Sequence, residues 1–107
     1  MKAVLESPMA GVTLIIPADP LSGQQATQFR RWMESVLPDV RQVILDLSRV
    51  EFMDSAGCGV LLWLHKELLQ RGGRLTVRGV VPSVQAMFDI LRIERVLHIL
   101  PPASAAG

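Results

Sequence analysis

Asp46-Leu-Ser-Arg-Val-Glu-Phe-Met-Asp-Ser-Ala-Gly-Cys-Gly-Val60 is the stretch on which the reading of this chain turns. Directly before it, Val43, Ile44 and Leu45 lead to Leu47 in a nearly continuous apolar run, as expected for a central strand covered on both faces. Directly after it, Val60, Leu61, Leu64, Leu68 and Leu69 recur at helical spacing until Gly72-Gly73 stop them, which predicts a helix from about Ala56 to Arg71. A turn over Ser48 to Asp54 therefore delivers Asp54 and Ser55 to the start of a helix straight from a sheet. The first turn of a helix has backbone N–H groups without partners and carries partial positive charge, so a carboxylate, a hydroxyl or a phosphate is well placed there. Gly57 and Gly59 strip side chains from that turn at a cost of about 1 kcal/mol each in helix propensity, and they open the backbone to close approach.

Outward from this core the pattern is alternating strands and helices. Ala3 to Leu5 and Val12 to Ile16 predict two short strands joined through a turn at Pro8 to Gly11, an antiparallel hairpin at a sheet edge. Pro17 to Gly23 reads as a loop. Ala26, Phe29, Met33, Val36 and Leu37 then mark a first helix that stops before Pro38. Leu75 to Arg78 is a further strand, Pro82 opens a third helix with Val84, Met87, Phe88 and Leu91 as its buried stripe, and Val96 to Leu100 adds a last short strand. The strand, helix, strand unit from Val43 to Val77 requires a crossover between parallel strands, so the sheet is mixed and the class is α/β: four to five strands against three or more helices. Residues 1–100 form one domain on this reading, and 101–107 a flexible tail.

Composition removes several function classes. The chain has 107 residues with 11 basic and 10 acidic side chains, a net charge of +1, and no run of like charges. A nucleic-acid binder is expected to show a basic stripe, often with stacking aromatics, whereas this chain has no such stripe and few aromatics, Trp32, Trp63 and three Phe. Cys58 is the single cysteine, so no internal disulfide can form, and the two histidines offer little to a metal. Glu6 and Pro8 interrupt any signal-peptide core, and no apolar run is long enough to span a bilayer, so a cytoplasmic protein without membrane insertion, metal or cofactor is expected.

The motif residues admit plain readings as well. Ser55 or Asp54 suits an N-cap, and capping is compatible with a role as a switch. A serine-hydrolase elbow would need Gly where Met53 stands, and His65 and His98 are not accompanied by an orienting acid in any recognisable order. Cys58 lies where a thiolate would be stabilised, yet with no second cysteine it reads as a small buried residue. Gly57-Cys-Gly59 lacks the Gly-Lys-Ser/Thr of a phosphate loop. His65, Trp63, Arg30-Arg31 and the arginines from Arg71 to Arg78 read as packing or solvated surface.

With those residues in hand, the stretch VILDLSRVEFMDSAGCGV from Val43 to Val60 resembles the phosphorylation-site motif of STAS-domain anti-sigma-factor antagonists, and the likeness extends through Gly72-Gly73-Arg-Leu-Thr-Val77 and VPSVQAMFDIL to Leu91. The resemblance implies a non-enzymatic partner switch. Unphosphorylated, the domain would bind a serine kinase that is also an anti-sigma factor and so free a sigma factor. Phosphorylated at Ser55 it would let go, and a phosphatase would reset it. The partner-binding residues implied are Met53, Asp54, Ser55, Ala56, Gly57, Cys58 and Gly59, with Asp19 standing in for the family's loop aspartate at a shifted register. Asp54 would orient the serine hydroxyl or assist the kinase. The domain would be a monomer or weak homodimer. The chain ends soon after Leu100, without the final helix common in antagonists, and the alternative that this suggests is the short STAS subunit that binds the ATPase of a lipid-transport ABC complex.

Overall fold

The computed structural model describes residues 3–101; of the expected tail, residues 102–107 lie outside the described residues. β1 (Ala3–Met9) and β2 (Val12–Pro17) form the antiparallel hairpin, followed by α1 (Gly23–Val36), a short 3-10 turn (Leu37–Asp39) and β3 (Gln42–Asp46). α2 (Ser55–Gln70), β4 (Arg74–Arg78), α3 (Pro82–Leu91), a second 3-10 turn (Ile93–Arg95) and β5 (His98–Ile99) complete the order. The sheet runs β1-β2-β3-β4-β5, with β2 to β5 mutually parallel, so the mixed α/β architecture expected from the sequence is the one observed.

β1 is longer than its apolar residues suggest and passes through Pro8 to Met9, leaving Ala10 and Gly11 as the turn. Proline is tolerated because β1 is an edge strand whose outer row of donors has no ladder to serve, and the register shifts between Glu6 and Met9. Gly11 sits at φ +79, where a side chain would be strained.

One expectation needs correcting. β3 is fully buried on one face only: Val43 and Leu45 join the core, whereas Ile44 and Asp46, which alternate with them, are half-buried. Ile15, Val43, Leu45, Leu75 and Val77 from the sheet meet Phe29, Met33, Leu61, Leu64, Leu68, Val84 and Phe88 from the helices in a single cluster. Ile44 and its cross-strand neighbours Leu14 and Thr76 lie outside it. The helices thus pack on one face, and the near-continuous run reflects an apolar residue on the opposite, more open face rather than a second covering layer.

α2 ends as the double glycine requires. Gly72 adopts φ +75, and Gly73 N donates to Leu68 O at 2.7 Å, closing the last turn. Gly73 also has no room for a side chain, since a Cβ there would lie 2.1 Å from Arg41 O.

Candidate functional site

The parallel strands point their carboxyl ends toward the loops that precede α2 and α3, and ligand and partner sites of open α/β sheets gather at such ends. The loop from Leu47 to Asp54 is folded by contacts from three sides. Asp46 Oδ1 accepts from Ser48 N at 2.9 Å and Leu47 N donates to Arg78 O at 2.9 Å, which fixes the exit from β3. Ser83 Oγ, in the first turn of α3, donates to Glu51 O at 2.5 Å. Leu21, from the loop between β2 and α1, forms an isolated parallel bridge with Met53: Leu21 N donates to Phe52 O at 3.0 Å and Asp54 N to Leu21 O at 3.4 Å.

That bridge explains Gly57. A Cβ at Gly57 would stand 2.1 Å from Leu21 O and 2.6 Å from Met53 Cγ, so the strap can lie against α2 only where a side chain is missing. Gly59 is different: it is exposed, it has ordinary helical geometry, and a Cβ there would meet nothing within 4 Å.

Asp54 is the N-cap of α2, and its carboxylate serves two helices. Oδ1 accepts from Gly57 N at 3.0 Å, closing the cap, while Oδ2 accepts from Gly23 N, the first residue of α1, at 3.1 Å. α1 has Ser22 as its own N-cap residue but no side-chain cap bond from it, so Asp54 supplies what Ser22 does not. The Gly57 amide, outweighing partial desolvation and aided by the Gly23 and Ala56 amides, holds the Asp54 carboxyl below the usual aspartate range. Both carboxylate oxygens therefore carry structural bonds to backbone amides, and the Gly57 amide, one of the first-turn donors that the sequence suggested for an incoming anion, is taken.

Ser55 is the first residue of α2 and is exposed, and among the described residues its hydroxyl has no hydrogen-bond partner. Ala56 and Gly59 are exposed beside it. Three residues expected at a partner surface are not on it: Met53 and Cys58 are each only 1% exposed, and Gly57 is buried beneath the Leu21 strap. Their small or flexible side chains fit the inner side of the first turn instead. Burial, reinforced by the Asp54 charge, pushes the Cys58 thiol up to about 11, so it is neither a thiolate nor a nucleophile at neutral pH. Asp19 is half-buried in the loop that the strap ties to α2, two residues before Leu21.

Sequence reasoning missed two features. Phe52 is 54% exposed immediately before the buried Met53, an alternation that the motif contains but that only the Leu21 bridge turns into an inside and an outside. Arg30 lies over the Trp63 ring at 4.6 Å, and Arg78 pairs with Asp46 at 3.0 Å, so these arginines are engaged rather than merely solvated. A cleft of about 830 Å³ lies at the other end of the sheet, between the hairpin tip and the end of α2, and includes none of the motif residues. Among the described residues no group of three potential metal ligands occurs, and no helix is long and apolar enough to cross a membrane.

Comparison with known proteins covers nearly the whole chain. The family model for the STAS domain matches residues 9–105. The chain is 28% identical over 91 residues to an anti-sigma F factor antagonist of Paenibacillus polymyxa, a match covering 83% of this chain and 78% of that one. An anti-sigma factor antagonist from Mycobacterium paratuberculosis has the same fold at a TM-score of 0.82 and 20% identity, over 98% of this chain and 89% of that one. The Bacillus cell fate determinant SpoIIAA, solved in its phosphorylated form, matches at a TM-score of 0.69 and 21% identity over 98% and 96% of the two chains.

Proposed function

The chain belongs to the STAS domain family, and from that premise we propose that it is an anti-sigma factor antagonist whose binding is switched by phosphorylation of Ser55. Unphosphorylated, it binds an anti-sigma factor that is also a serine kinase, and a sigma factor is released. After phosphate transfer to Ser55 the pair separates, and a phosphatase restores the binding form. The protein itself catalyses nothing in this cycle, which runs in the cytoplasm.

The observation that carries the reading is the exposed Ser55 hydroxyl, unpartnered among the described residues, on a helix start held in place by the Asp54 cap and the Leu21 strap. A kinase can reach such a hydroxyl without unfolding anything. A phosphoryl group adds about −1.5 to −2 charge where a partner was fitted to a small neutral group, so like-charge repulsion and desolvation oppose the contact. Exposed Phe52, Ala56 and Gly59 supply its immediate apolar and flat surroundings. Of the residues first assigned to partner binding, Ser55, Ala56 and Gly59 form the contact face in this proposal, Asp54 and Asp19 border it, and Met53, Gly57 and Cys58 support it from beneath.

Co-purification of the cognate kinase with wild type, Ser55→Ala and Ser55→Asp tests the switch. Ser55→Ala should retain the kinase whatever the ATP concentration, and Ser55→Asp should lose most of it. Equal retention by all three would refute the proposal.

A further inference from the structure

An anion at the start of a helix is ordinarily gathered in by the first-turn amides. In α2 the first intrahelical bond runs from Cys58 N to Asp54 O, so the amides left over are those of Ser55, Ala56 and Gly57. Gly57 N is taken by Asp54 Oδ1, and the Ala56 amide also acts on that carboxylate. The other oxygen is drawn away to Gly23 N of α1. We infer that Asp54 is a positioning residue that decides where a phosphoryl group on Ser55 points: by occupying the Gly57 amide, with its carboxylate held beside the rest of the first turn, it denies that donor to the phosphate and turns the dianion outward, toward a partner.

This inference rests on the reading of Ser55 as the phosphorylated residue. It assigns Asp54 a task different from orienting the serine hydroxyl, because both carboxylate oxygens already accept backbone amides. It also accounts for the double anchorage. A cap held only by its own helix could swing aside to let the phosphate in, whereas Asp54 is tied to α1 through Gly23 and its backbone to Leu21, so leaving would break contacts with both. Without Asp54 the helix would hold the phosphate close, its charge partly neutralised by amides, and phosphorylation would repel a partner less.

The test uses the full chain with phosphoserine placed at position 55 during synthesis, so that no kinase is needed, and follows backbone amides by NMR. In wild type, phosphorylation should leave the Ala56, Gly57 and Gly23 amide shifts nearly unchanged. In Asp54→Gly, a substitution that keeps an acceptable N-cap while removing the carboxylate, the Ala56 and Gly57 amides should move well downfield on phosphorylation. The ratio of kinase-partner affinities between the two phosphorylation states should fall from about tenfold or more to about threefold or less. Asp54→Asn keeps one acceptor oxygen and should lie between the two, and it carries the test alone if Asp54→Gly does not fold. A downfield shift of the wild-type amides, or variants that respond to phosphate as wild type does, would overturn the inference. The spectra need no partner, so a partner indifferent to phosphate would overturn the functional reading while leaving the inference to be judged on the amides.

Discussion

α2 and α3 begin alike and are finished differently. Both follow a parallel strand at the same end of the sheet, and both carry a serine in the first turn. Ser83 is tied down, its hydroxyl donating to Glu51 O, and α3 relies on Pro82 in its first turn without a side-chain cap. Ser55 is left open on a loop that is itself bonded: Asp54 to two helices, Phe52 and Asp54 to Leu21, Glu51 to Ser83. The difference teaches that exposure on a bonded loop, not an unbonded hydroxyl alone, sets Ser55 apart, since Ser22 at the head of α1 makes no side-chain cap bond either but is half-buried. The structure spends one serine on holding the loop before α2 and keeps the other free on top of it.

The sharpest way to break that contrast is to remove the platform. Gly57→Ala puts a Cβ into Leu21 O and should cost about 3 kcal/mol or more in urea unfolding, or prevent folding, because backbone rather than a flexible side chain must move. Gly59→Ala, two residues on with open space around it, should instead raise stability by about 1 kcal/mol. Equal effects would mean that the Leu21 strap does not lie against α2. Next come the serines. Ser83→Ala should lose about 1 kcal/mol with its bond to Glu51, while Ser55→Ala should stay within about 0.5 kcal/mol of wild type, both read from denaturation midpoints.

Acid tests the same loop. The Asp54 carboxyl is held low by amides. At Asp46, burial pulls upward but the Ser48 hydrogen bonds and Arg78 outweigh it. For a carboxylate with a lowered folded value, stability is complete above the unfolded value of about 3.9 and is lost as pH falls through the folded one. Thermal midpoints should therefore hold from neutrality to about pH 5 and drop below about pH 4, and Asp54→Asn should flatten part of that drop. The smallest expected effect is at Cys58, whose buried thiol should not react with iodoacetamide at pH 7.5 until denaturant is added. Labelling of the native protein would show the first turn of α2 to be looser than its bonds imply.

Much of this was legible in the order of residues. The strand, helix, strand unit from Gln42 to Arg78 follows from local periodicity and from Gly72-Gly73, and α3 begins at Pro82 as its pattern predicts, although Leu91 of its expected buried stripe is 43% exposed in the last turn. Ser55 at the head of α2 was readable too, since a cap, two glycines and an apolar stripe lie within one short window. What could not be read depends on distant pairing. The Leu21–Met53 bridge joins residues 32 positions apart, and it holds Met53 inward while Phe52 faces out. The second oxygen of Asp54 goes to Gly23, 31 positions away, so the carboxylate read as available to the serine was already engaged. β3 was misjudged for a related reason: Ile44 is apolar, but which face a residue meets depends on where the helices dock, and here they dock on one.

The central claim is that phosphate on Ser55 acts on a neighbour and not on the fold. Its most direct test is to prepare the protein with and without phosphoserine at position 55, then compare thermal midpoints of the free protein and affinity for the kinase partner by calorimetry. The account predicts midpoints within about 2 °C of each other and binding weakened by at least about tenfold. A phosphorylated form that melts well below the other, or that binds equally well, would contradict it.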